Sequence, residues 1–132
     1  MNQYEEYLQM PEHLDFQEMQ KIHCDMLSEI GTDENAVDLY KRLLDKAIDY
    51  TGIRAGWSML EREEKMERDA ARTSLHNLVI SHFDKLAQYL RILGKPAAWR
   101  DALGYVEEDP YNRKRIGDMA NYLVFAEAVT HR

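Results

Sequence analysis

Ser58 to Leu93 is a run of 36 residues without a proline or a glycine, within the longest such stretch of the chain. Its second half carries Leu75, Leu78, Val79, Phe83, Leu86, Leu90 and Leu93 at helical spacing, and Gly94 follows as a stop. Its first half is almost pure charge, with Met66 as the single apolar residue between Glu61 and Asp69. Ser58 and Glu61 form a capping-box pattern, and Glu61–Lys65 and Glu64–Arg68 are favourable i,i+4 pairs. The pattern predicts one helix over 58–93. A straight helix of that length spans about 54 Å, whereas a compact domain of this size is about 36 Å across. The helix must therefore break near Asp69–Thr73 or overhang and be covered by a second copy. A homodimer built along it is the expectation.

The flanking segments read as shorter helices. Residues 1–10 are a polar leader with Tyr4, Tyr7 and Leu8. Pro11 suits a first helical turn, Phe16, Met19, Ile22, Met26 and Ile30 make an apolar stripe, and Gly31 closes it; the predicted helix is 12–30. Thr32 or Asp33 can cap a second helix over 33–51, whose inner face is Ala36, Leu39, Tyr40, Leu43, Leu44, Ala47 and Ile48, with Gly52 as its end. A short helix is expected over 96–103. Asp109-Pro110 opens the last, over 110–130, which is apolar almost all round from Met119 and is expected to be central and buried. No segment alternates with period two and no hairpin dipeptide occurs. The predicted fold is a single all-α domain, a helical bundle of four main helices plus one short helix, with a long third helix.

At 132 residues the chain has the length of one domain with a real core. A single cysteine, Cys24, excludes an internal disulfide and fits a reducing compartment; it reads as a semi-buried thiol. The first ten residues contain Glu5 and Glu6 and no basic region, unlike a signal peptide. No apolar run reaches the ~18 residues of a membrane span. A cytoplasmic protein without a membrane partner is expected. Residues 1–71 hold 8 Lys/Arg against 17 Asp/Glu, a net of −9, and residues 72–132 hold 9 against 7, a net of +2. The acidic half opposes contact with nucleic acid and suits a basic protein partner, with Glu61, Glu63, Glu64 and Glu67 as the candidate partner surface.

One polar cluster stands out. Arg72 and His76 share a helix face beside Asn77, and each precedes a stripe residue by seven. Arg113, Arg115 and Asp118 open the last helix, where Gly117 sits inside a helical pattern. A helical glycine costs about 1 kcal/mol relative to alanine, which close approach of another backbone would explain. The structural reading is an Arg72–Asp118 ion pair with His76 hydrogen-bonded nearby, locking two helices in register. The functional reading is a pocket for a phosphate- or nucleotide-like anion held by Arg72, His76, Asn77, Arg113, Arg115 and Asp118, with Trp99 or Tyr122 for stacking.

The pairing of Arg72-x-x-x-His76-Asn77 with Arg115-Ile116-Gly117-Asp118-x-x-x-Tyr122-Leu123 resembles a small helical domain family of bacteria and their phages, over roughly residues 70–132. That family is of unknown function, so the resemblance implies an all-α fold and supplies no activity.

Other chemistries fit less well. Glu127 and His131 are four apart, and no His-Glu-x-x-His motif occurs. His13 and His23 read as helix-surface residues, and His82 as packed in the stripe. Glu61 and Glu64 resemble the first Glu-x-x-Glu of magnesium-dependent all-α nucleotide pyrophosphatases, but the second acidic pair is absent from the following helix. No phosphate loop or nucleophile elbow is present. No metal or cofactor is therefore expected. The leading expectation is a non-enzymatic, dimeric interaction or regulatory protein. A sensor of a small anion comes second and a Mg-dependent nucleotide hydrolase third.

Overall fold

The computed structural model describes residues 14–55, 57–103 and 112–130. They form α1 (Phe16–Ile30), α2 (Glu34–Arg54), a 3-10 turn (Trp57–Met59), α3 (Arg62–Ile92), the short α4 (Ala98–Ala102) and α5 (Asn112–Thr130). The fold is an all-α bundle, and the described residues contain no strand. No described helix is long and apolar enough to cross a membrane.

Local chemistry sets the helix ends. Asp15 caps α1 by accepting the Glu18 N–H at 2.7 Å, so α1 starts at Phe16 rather than residue 12. Pro11 and His13 lie outside the described residues. Asp33 caps α2 through the Ala36 N–H at 2.9 Å. It also accepts the Tyr89 hydroxyl at 2.8 Å, tying the far end of α3 to the start of α2. Gly52 does not end α2, which runs on to Arg54.

The long helix needs more correction. It starts at Arg62, with Glu61 as an N-cap that makes no side-chain cap bond, so the Ser58–Glu61 box does not define its start. It does not break near Asp69–Thr73. It is one helix of 31 residues, about 46 Å long. It ends in a Schellman-type turn, where Gly94 takes φ +89° and the Lys95 N–H reaches back to the Leu90 carbonyl at 2.9 Å.

The central element is α2, not α5. It packs on α3 along one side and α5 along another, while α1 leans on α4 and α5. Leu43, Leu44, Ala47 and Tyr50 of α2 meet Val79, Phe83, Leu86 and Leu90 of α3, and Ile116, Met119, Ala120 and Leu123 of α5, in one core. The expectation of an all-round buried last helix fails because Phe125 and Val129 lie outward, 54% and 49% exposed. The cap Asp109-Pro110 lies outside the described residues.

Polar contacts fasten α4, among them an ion pair from Arg91 of α3 to Asp101 at 3.2 Å. The Glu29 carboxylate accepts the Trp99 indole N–H at 2.8 Å and the Ala97 N–H at 3.2 Å. Ala97 adopts the left-handed conformation, φ +49°, unusual for a residue with a Cβ. Arg100, buried, donates to Asp84 of α3 at 2.6 Å.

Candidate functional site

The predicted Arg72–Asp118 pair does not form. Arg72 donates to Asp69, three residues back on the same helix, at 2.6 Å, and its guanidinium lies 4.8 Å from the Trp57 ring centroid. Arg54, at the end of α2, lies over the same ring at 5.7 Å. Local spacing decides this: Asp69 is one turn away on the same rigid helix. Asp118 accepts the Leu14 N–H at 3.2 Å, fastening the start of α1 to α5.

Tyr50 occupies the space expected to hold the ion pair. Its ring stacks at a tilt on His76, with centroids 5.4 Å apart. A Cβ built at Gly117 would come 3.0 Å from its hydroxyl. The glycine thus makes room for a phenol, not for a neighbouring backbone. Burial pushes the Tyr50 hydroxyl pKa up, Arg54 and Arg72 pull it back, and Asp118 adds to the rise. The fold brings Arg72, His76 and Asp118 to one junction around Tyr50, and leaves Asn77 exposed. Arg113 and Arg115 fall in the first turns of α5, and their side chains lie outside the described residues. Neither aromatic proposed for stacking is available. Trp99 is buried with its N–H on Glu29, and Tyr122 packs edge-on against Phe16 and His23.

The acidic residues expected to form a partner surface lie elsewhere. From Arg62 to Ala71 every residue of α3 is exposed except the half-buried Lys65, and Met66 is 70% exposed. Glu61, Glu63, Glu64 and Glu67 make no ion pair with any described residue, so the expected Glu61–Lys65 and Glu64–Arg68 pairs are not formed. The segment is a projecting arm whose glutamates make no ion pair with a described residue. At the other end of α3, His82 sits among Lys85 of its own helix and Lys46 and Arg42 of α2. Burial first, and then these three cations, lower its pKa. Arg42 pairs with Asp38 at 3.1 Å, whereas Lys46 and Lys85 make no ion pair with a described residue.

Sequence reasoning missed a third cluster. His23 is half-buried, not on the surface: its Nε2 lies 3.0 Å from the Tyr40 hydroxyl, a hydrogen bond whose direction follows the imidazole tautomer. Its ring meets Tyr122 edge-on at 5.6 Å. The signal was its place seven residues after Phe16 and three before Met26, on the flank of the α1 stripe. Burial lowers the His23 pKa, opposed by Glu127, and burial pushes Tyr40 up to about 12. A histidine with a depressed folded pKa takes up its proton more readily when unfolded. Its stabilising contribution is therefore present above about pH 6.5 and is lost as pH falls below that value. Denaturation midpoints should fall between pH 7 and 5.5, and His23→Gln should flatten the fall. An equal slope in both proteins would refute it. Cys24, next in sequence, is exposed rather than semi-buried.

Among the described residues no three His, Cys, Asp or Glu side chains gather to hold a metal ion. Glu127 falls within α5, and His131 lies outside the described residues.

No family model, curated protein or solved structure matches this chain.

Proposed function

We propose that this chain is a non-enzymatic helical interaction or regulatory protein that works by presenting the acidic arm of α3 to a basic protein surface. The observation carrying this reading is the arm itself: three turns of helix, exposed on nearly every side, with Glu61, Glu63, Glu64 and Glu67 making no ion pair with a described residue. Isolated helices of this length are marginal in water, so a segment held helical only by its continuity with a docked half is suited to docking in turn. The anion-sensor reading is less well supported, because Asp69 already neutralises Arg72 and Trp57 covers its guanidinium face.

The test is affinity capture from the native host with the wild type and with Glu63→Lys/Glu64→Lys/Glu67→Lys. The wild type should retain a host protein other than its own chain that the triple variant does not. About 0.5 M salt should release it, since exposed charges are screened within a few ångströms at that strength. Identical retention by both proteins would refute the reading, as would no retention by either.

A further inference from the structure

Glu63, Glu67, Ala70, Ser74, Leu78, Ser81 and Lys85 recur along α3 at three- and four-residue spacing. They therefore form one continuous face of the helix. That face is turned away from Val79, Phe83, Leu86 and Leu90, which enter the core. All of its members are exposed except the half-buried Ser81, and Leu78 is an exposed apolar residue within it. Its chemistry is graded. The arm end carries the carboxylates of Glu63 and Glu67, the middle is small, and the far end carries Lys85 beside Lys46 and Arg42.

A face that is acidic at one end and basic at the other is complementary to itself when two copies run antiparallel. We propose that the occupant of this face is a second copy of the chain, docked antiparallel along α3 about a two-fold axis at Ser74. This deepens, and rests on, the reading of the arm as a protein-binding surface. In this register Glu63 stands opposite Lys85 of the second copy, and Glu67 opposite Ser81. Glu64 and Glu67 lean toward the side where Lys46 and Arg42 of the second copy flank its α3. Leu78 of each copy packs over Ala70 of the other, and Ala70, Ala71 and Ser74 let the axes approach to the short end of the ~8–10 Å range for packed helices. A two-fold contact of this kind is isologous, so it closes at two chains and forms no fibre. A parallel pair would set Glu63 against Glu63 and Lys85 against Lys85, and is disfavoured by the same charges. The long overhang of α3 is then accounted for, since each arm lies along the bundle of the other copy.

The test is sedimentation equilibrium at about 100 μM in low salt. The wild type should have the mass of two chains. Glu63→Lys/Glu67→Lys and Lys46→Glu/Lys85→Glu should each sediment as one chain, because each puts like charges together. Mixing the two variants should restore the two-chain mass, as should placing all four substitutions in one chain. All four positions are solvent-facing or half-buried on the surface, and unchanged circular dichroism and melting would show that the variants fold. A monomeric wild type overturns the proposal, as does a reversal variant that dimerises like the wild type. A quadruple variant that stays monomeric while the mixture dimerises overturns the antiparallel register. A monomeric wild type leaves the acidic-arm reading standing if the triple variant still loses a host partner, so the two failures are separable.

Discussion

Phe83→Ala should lower the unfolding free energy by about 3–5 kcal/mol, the range for deleting a buried aromatic ring. Phe83 is fully buried in α3, with its ring 6.3 Å from that of Trp99. It stands where α3 meets both α2 and α4, so collapse into the space it vacates would have to move two helices. The loss should appear in urea unfolding followed by circular dichroism as an earlier midpoint with an unchanged slope. Leu78→Ala, on the outward face of the same helix, should change stability by less than about 1 kcal/mol. Equal effects at the two sites would contradict the placement of the core.

Glu29→Ala should cost about 2–4 kcal/mol, because it removes one acceptor from two donors at once. The Trp99 indole N–H and the Ala97 N–H both end on the Glu29 carboxylate, and both residues are buried. A buried donor left without a partner costs about 1–3 kcal/mol. The Ala97 backbone is also held in a left-handed conformation that its Cβ disfavours, and the Glu29 bond helps keep it there. Glu29→Gln retains one carbonyl acceptor and should lose less. Tryptophan fluorescence should shift to longer wavelength in the alanine variant as α4 loosens. An alanine variant as stable as the wild type would show that water replaces the carboxylate without penalty.

The helices and most of the core were legible in the sequence, because apolar spacing and glycine stops are local signals. Val79, Phe83, Leu86 and Leu90 of the predicted stripe foretold the docked half of α3, whereas Leu78 and Leu93, read into the same stripe, are exposed. What misled were signals whose meaning depends on neighbours. Gly52 reads as a terminator, yet α2 passes through it because Tyr50 and Thr51 are anchored, Tyr50 against Gly117 and Thr51 on Asn121 at 2.9 Å. The apolar run from Met119 to Val129 reads as a buried helix, yet only the stripe of Met119, Ala120 and Leu123 finds the core. Charge pairing was harder still. Arg72 had two acidic candidates, and the nearer one on its own helix took it. Arg72, His76 and Asp118 gather around Tyr50, which carries no charge to advertise it in the sequence.

The arm also divides the molecule into two regimes of cooperativity. The half of α3 bearing Val79 to Leu90 opens only when the core opens, since its side chains are shared with α2. The turns from Arg62 to Ala71 share almost nothing, so they can melt and re-form from their free end without the core registering it. Amide protons along one unbroken helix should therefore exchange with solvent on two separate timescales, with the boundary near Arg72, where Trp57 first covers the helix. A partner of the proposed kind would then act on a segment whose order is adjustable independently of the stability of the bundle.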